Sequence, residues 1–528
     1  MKKSLLLYAL AGLIVGKVTM AQPCRPAAVE KHLATFWDRF KQLDTFPVSF
    51  VANTNRLYRA KEKQLYFMGT VHSADIGWPL YRKIDSVMAG LRPELILVEN
   101  YYAAEDQDLN TAVTAGADVG YVSHIGRTNK VRIKSWDKMA EVYNQLIPQY
   151  GHDSALVMFL NSIGDYGLHS QRGEQEYGEF RYSFQLNGGL LTPAQQSFAY
   201  YRQIFQRYYK QPLLLPVDSG YAAQQVAVQH DEARRQGDSR FTQLRDQRLL
   251  QVLQRELPGY VRIYLQAGAA HFHSLQEMIP CYLEPARPTV KSIRSKENQG
   301  AQGLLLTTRA PRNQTQQIMI GFVNYQDSSA GQQARIEKQI KEFAPDIILT
   351  CSPALLYSTR AETMAASGVT GFTRFLAIDK KISLNQWTPY WGDVYYHFIS
   401  NYSNEELYMT CLALNILQDG AIRTIEAFRT KFYQAAHCMR FSEYPFRDKE
   451  FDFNAFIGKL VKGEPAKNAY TLQEMLSFVR KKSNPPLEAA IKQYQVAWFF
   501  TTPLSGLQNL PQKKIYIQME EGYRACLK

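Results

Sequence analysis

The sequence predicts an α/β fold arranged as two tandem, related lobes with helical insertions, and three observations carry that prediction. Short apolar runs of strand length alternate with longer runs of helical periodicity. Segments of the first half recur in the second: QLYFMGTVH (64–72) in QQIMIGFVN (316–324), RPELILVEN (92–100) in APDIILTCS (344–352), and VRIYLQAGAAHF (261–272) in KKIYIQMEEGYR (513–524). The repeats share one register, since Gly69 and Gly321, Pro93 and Pro345, and Ile263 and Ile515 each lie 252 residues apart.

Taken in order, the chain opens on Met1-Lys2-Lys3, an apolar stretch SLLLYALAGLIVG (4–16) and Thr19-Met20-Ala21. That is the pattern of an export leader, residues 1–21, cut before Gln22. The apolar stretch is shorter than the ~20 residues a membrane span needs, so a periplasmic or secreted protein with no transmembrane segment in its mature chain is expected. Residues 22–283 form the first lobe. Within it 64–71 reads as a strand, and 79–91 as a helix with Leu80, Ile84, Val87, Met88 and Leu91 at helical spacing. The run 94–100 is apolar almost throughout, as a parallel strand covered on both faces would be. Helices are expected at 135–149, 153–163, 192–209, 219–236 and 238–257, and a last strand at 261–267. Residues 284–303 are polar, with two prolines, and read as a linker. Residues 304–528 repeat the lobe.

With 528 residues, 45% hydrophobic and 21% charged, the composition is that of a globular protein with length for two cores. The net charge of +13 is spread along the chain with no nucleic-acid signature, so no nucleic-acid partner is expected. Six cysteines, Cys24, Cys281, Cys351, Cys411, Cys438 and Cys526, include no CxxC pair, which argues against a cysteine zinc site. Cys351 and Cys411 sit in apolar runs and read as buried thiols.

In open α/β sheets ligands gather beyond the carboxyl ends of the strands. There the first lobe places Gly69-Thr-Val-His72, then Glu99 with Asn100 beyond it, then Gly268-Ala-Ala-His271 followed by His273. Glycines at these points would permit tight turns or positive φ. Two imidazoles and a carboxylate suit a divalent metal (Mn, Co or Zn) with open positions for water, and His273 is a possible further ligand. Without a metal the same set could run acid–base catalysis. The second half keeps the apolar framework and loses the polar set: Asn324 stands for His72, Cys351 for Glu99, Glu520 for Gly268 and Tyr523 for His271. That contrast points to a site in the first lobe and an inactive scaffold in the second. In the helix 241–257, Leu244, Leu249, Val252 and Leu253 mark a buried face, while Arg245, Asp246 and Arg248 read as a solvated charged face.

The order GTVH (69–72), a strand ending in Glu99, a helix carrying Arg245-Asp246, and GAAH (268–271) resembles the TraB/GumN family. That family is grouped with Tiki-type metalloproteases and, more distantly, with erythromycin esterases and haem-binding ChaN proteins. The resemblance covers about residues 60–280. It implies His72 and His271 as paired histidines, Glu99 as their acidic partner, and Arg245 as a helix arginine facing the cleft, with Asp246 beside it. The implied activity is hydrolysis of a peptide or ester bond in a peptide or small-molecule substrate. Arg245 would stabilise developing negative charge, and the lobes would pair within one chain. Binding of haem or another small ligand without turnover is the alternative, with 33 Tyr and 27 Phe available for an aromatic pocket. A non-catalytic scaffold is the third reading.

Overall fold

The computed structural model describes residues 26–41, 54–99, 108–162, 172–210, 212–213, 232–283, 293–298, 303–309, 315–325, 327, 329–351, 356–357, 359–418, 422–445, 448–464, 470–501 and 514–527. The expected leader and Asn100 lie outside them.

β1 (Thr54–Ala60), β2 (Lys63–Thr70), β3 (Leu95–Val98), β4 (Arg132–Ser135) and β5 (Arg262–Gly268) form a sheet in the order β1-β2-β5-β3-β4. β1 is antiparallel to β2 and the remaining pairs are parallel. Around it lie α1 (Pro26–Lys41), α2 (Pro79–Leu91), α3 (Leu109–Thr128), α4 (Met139–Ser162) and α5 (Gly173–Leu186). α6 (Phe198–Tyr209), α7 (Glu232–Glu256), α8 (Ala269–Leu275) and α9 (Pro280–Leu283) follow. β3 is buried at every position, as its unbroken apolar run requires. The helices expected at 135–149 and 153–163 are joined in α4 across a break at Gly151, where φ is 75°. The helix expected at 219–236 falls mostly on residues not described.

A second sheet runs β10-β9-β11-β8-β7-β6, built from β6 (Ile293–Asn298), β7 (Gly303–Arg309), β8 (Thr315–Val323), β9 (Ile347–Thr350), β10 (Ser383–Gln386) and β11 (Lys514–Glu520). β6 lies within residues 284–303, which read as a linker from sequence. It pairs antiparallel with β7, and its polar sequence IRSKEN suits the sheet edge it occupies. The helices here are α10 (Ala330–Phe343), α11 (Arg360–Asp379), α12 (Trp391–Phe398), α13 (Asn404–Gln418) and α14 (Ile425–Phe441). α15 (Phe453–Leu460), α16 (Leu472–Lys482) and α17 (Pro485–Thr501) complete them. A cluster from Trp391 to Ile491 gives α12–α17 a hydrophobic core of their own, the helical insertion.

The parallel strands β2-β5-β3-β4 and β8-β11-β9-β10 have one order. Ile263 faces Leu95 and Ile515 faces Ile347, at the expected spacing of 252. In the neighbouring pair, however, Ile263 faces Leu65 whereas Ile515 faces Ile318, one residue further along. A one-residue slip turns each side chain to the other face. Gly69 therefore lies against Phe272 and Thr54, but Gly321 lies under the Tyr516 hydroxyl and Gln339. The two glycines are not counterparts, and His72 corresponds to Tyr325 rather than Asn324. Downstream the spacing becomes 251: Trp136 and Trp387 donate their indole N–H groups to the carbonyls of Gln266 and Gln518 at 2.8 and 3.0 Å.

A Cβ on Gly69 would stand 2.5 Å from Phe272 Cβ and 2.6 Å from Thr54 Oγ1. Gly69→Ala is therefore expected to cost about 1–3 kcal/mol, read as a lower urea midpoint. An unchanged midpoint would show that space is not what fixes this glycine.

The two sheet regions meet along a buried polar seam. Asp393, on α12, pairs with Arg132 and with Lys134 at 2.5 Å, and Lys134 also reaches Glu256 at 2.9 Å. Glu443 accepts from Ser135 N–H at 2.9 Å and pairs with Lys138 at 2.6 Å. Glu141 receives the Tyr390 hydroxyl and pairs with Arg248 at 2.9 Å. Among the described residues no helix is long and apolar enough to cross a membrane. Cys351, Cys411 and Cys438 are buried thiols outside any disulfide, while Cys281 is disulfide-bonded.

Candidate functional site

β2, β5 and β3 end side by side, so their carboxyl ends deliver His72, His271 and Glu99 to one cleft. Glu99 is buried directly after β3. Its Oε2 accepts the Gly268 N–H at 3.0 Å and stands 4.0 Å from His72 Nε2, while Oε1 receives Arg245. Burial alone would raise its pKa; the Arg245 guanidinium, helped by the two imidazoles, outweighs burial and holds it at about 2.

Each imidazole is braced through Nδ1 by a buried aspartate. His72 Nδ1 lies 2.7 Å from Asp118 Oδ1, and Gln266 donates to the other oxygen of Asp118. That hydrogen bond, opposed by burial and aided by the charges of Asp118 and Glu99, raises His72 to about 9. His271 Nδ1 lies 2.6 Å from Asp246 Oδ1. Asp246 Oδ2 in turn accepts from the Trp37 indole and the Ser274 hydroxyl, both at 2.6 Å. The rings of Trp37 and Trp136, centred 5.3 and 5.4 Å away, enclose His271. Bracing of this kind fixes ring orientation and tautomer and leaves Nε2 for a reacting partner. His72 is half-exposed at the mouth of the cleft, and His271 is buried inside it.

Arg245, Asp246 and Arg248 do not form the solvated face expected of them. Arg245 is buried, with Nε 3.0 Å and Nη2 2.6 Å from Asp137 Oδ2 and Nη2 also on Glu99. Arg248 is buried against Glu141. Each charge is covered because a distant segment supplies its counter-ion, which helix periodicity does not register. Both carboxylates occupy its fork, so in this structure Arg245 holds Glu99 and Asp137 in place. His273 lies two residues beyond His271 on α8, about 200° around the helix. The helix thus carries it away from Glu99, and its ring sits edge-on to Phe272. Neither site glycine needs positive φ: Gly268 has φ −55°, and Gly69 is fixed by lack of space.

Asp118, Asp137, Trp37 and Trp136 were not anticipated. Asp118 follows a break in α3 where Ala117 has φ 48° and ψ −134°, a conformation that costs a non-glycine residue about 1–3 kcal/mol. The corresponding break in α11 is at Gly368. The strain is thus carried in the lobe where the break turns an aspartate toward a histidine. Asp118 is the sole acid of α3, and Trp136-Asp137 against Trp387-Thr388 repeats the contrast between halves at a spacing of 251. Those two signals could have found both aspartates.

A divalent cation would find two Nε2 atoms, but Glu99 already holds Arg245 on one oxygen and the Gly268 N–H on the other. Among the described residues no group of three or more His, Cys, Asp or Glu is gathered as a metal requires. The donors as arranged fit proton transfer more closely than metal ligation. Comparison with family models, curated proteins and solved structures finds no match for this chain.

Proposed function

We propose that the first lobe is a hydrolase of the kind its TraB/GumN-like motifs imply, adding water to an ester or amide carbonyl. The observation that carries this reading is the pair of imidazoles, each braced by a buried aspartate, flanking one buried carboxylate at the ends of three adjacent strands. His271, held by Asp246 as in hydrolytic His–Asp pairs, takes the proton of an attacking water at Nε2. His72, carrying its proton at neutral pH, faces the substrate side, hydrogen-bonds the carbonyl oxygen as negative charge develops on it, and then passes that proton to the leaving group as the bond breaks. Glu99, too weak a base at about 2 to take the proton itself, stays ionised and favours the imidazolium form of His72. We read the second lobe as a copy of the first that has lost this set, with Tyr325, Cys351 and Tyr523 in place of His72, Glu99 and His271.

The test is a panel of chromogenic esters and fluorogenic peptides. Wild-type protein is expected to hydrolyse at least one, and His271→Ala to lose that activity; equal rates would sink the reading. Metal analysis separates the metal-dependent form. About one equivalent of Mn, Co or Zn in the wild type, lost in His72→Ala/His271→Ala, would return the histidines to the role of ligands. The haem alternative draws no support from His271, which two indoles enclose.

A further inference from the structure

The end of β9 corresponds to the strand end that carries Glu99, and it has an unpaired cation beside it. Arg374, on α11, is 3% exposed. Its Nη1 reaches Thr350 Oγ1 only at 3.5 Å, and its Nε and Nη2 have no hydrogen-bond partner. Those last two donors form the side-on edge of the guanidinium fork, the edge that matches two oxygens of a carboxylate or phosphate. Thr370 Oγ1, one turn earlier on the same face of α11, is also buried and unpartnered. The ionisable groups that act on Arg374 are the thiols of Cys351 and Cys438, and burial lowers its pKa to about 10. Among the described residues no acid stands beside this buried guanidinium, an arrangement that is costly unless a counter-ion joins it.

The contrast with the first lobe sharpens this. At matching places the first lobe sets Glu99, Asp118 and Asp137, while the second sets Cys351, Val369 and Thr388 and adds Arg374 where Ser123 stands. The charge of the site is inverted as well as its histidines lost.

We propose that the second lobe binds an oxyanion, carboxylate or phosphate, in bidentate contact with Nε and Nη2 of Arg374, with the Thr370 hydroxyl as a further donor. The assignment stands independently of the hydrolase reading. Titration calorimetry of the full-length protein, dialysed free of oxyanions, with inorganic phosphate and separately with acetate tests it. Saturable one-site binding of either is expected, weaker by about 10-fold or more in Arg374→Lys, which keeps the charge without the fork, and absent in Arg374→Met. Phosphate alone would define a phosphoryl ligand and acetate alone a carboxylate. Native mass spectrometry of the purified protein adds a reading that needs no variant: a retained oxyanion appears as extra mass. No saturable binding of either probe and no extra mass in the wild type would overturn the proposal. Equal binding by the wild type and Arg374→Lys would also overturn it.

Discussion

Asp246→Asn is expected to cut hydrolysis about 1,000- to 10,000-fold while the fold survives. The reason lies in which atom of Asp246 does what. Oδ2 accepts from Trp37 and Ser274, and an asparagine carbonyl can keep both bonds. Oδ1 faces His271 Nδ1, and an asparagine amide placed there would donate instead of accept. The imidazole must then carry its proton on Nε2, the atom that has to take one from water. The variant would bind substrate in an almost unchanged cleft, so the loss should fall on kcat with KM little moved. Near-wild-type circular dichroism and melting are expected beside it. If the histidines are metal ligands instead, the same exchange should weaken metal binding about 10- to 100-fold, and added metal should restore much of the rate. An Asp246→Asn protein with undiminished kcat would remove His271 as the base.

The sequence made the outer shape of this site legible because strand ends are local. His72, Glu99 and His271 each follow an apolar run that reads as a strand, and the carboxyl ends of neighbouring parallel strands share one rim. What it left hidden came from elements without a stripe. α3, LNTAVTAGADVGYVSHIGRT, has small residues and glycines around its circumference, so no apolar face announced it and Asp118 went unread. The segment Arg245–Arg248 looked solvated because its counter-ions, Asp137, Glu99, His271 and Glu141, arrive from β3, β4, α4 and α8. His273 shows a further limit of adjacency: two residues amount to about 200° on a helix, so standing next to His271 in sequence does not put it on the same face. The recurring segments were legible as a pattern but not as a register. An ungapped spacing of 252 equated Gly69 with Gly321, whereas pairing to β5 and β11 sets them on opposite faces.

The largest loss of stability is expected from Asp393→Ala, about 3–5 kcal/mol in urea unfolding, because the change strips the partly buried Arg132 of its paired carboxylate and leaves the buried Lys134 with Glu256 alone. Asp393 is 2% exposed and serves both Arg132 and Lys134; after its loss Lys134 retains Glu256, and among the described residues Arg132 retains the Tyr260 hydroxyl, aromatic faces and the more distant charge of Glu256. The same seam sets an acid limit. Burial works to raise the carboxyl pKa of Asp393 and of Glu256, but Lys134 with Arg132 or Arg255 outweighs it and lowers both below the usual carboxylate range. The folded protein therefore holds these protons more weakly than the unfolded chain, whose carboxyls titrate near ~4. Their contribution is complete above that pH and drains away as pH falls through the lowered folded values. Wild-type stability should thus drop steeply below pH ~4, and Asp393→Ala, already lacking one of the two carboxylates, should show a shallower acid limb. A variant with the wild-type slope would place the acid sensitivity elsewhere, for example in Glu99. The seam also reaches the site, because Glu443 holds Ser135 N–H while the Ser135 hydroxyl donates to the Glu99 carbonyl at 2.9 Å. On the proposed hydrolase reading, a loosened seam should therefore lower activity at pH values where the first lobe is still folded, and the second lobe would then take part in catalysis without a catalytic residue of its own.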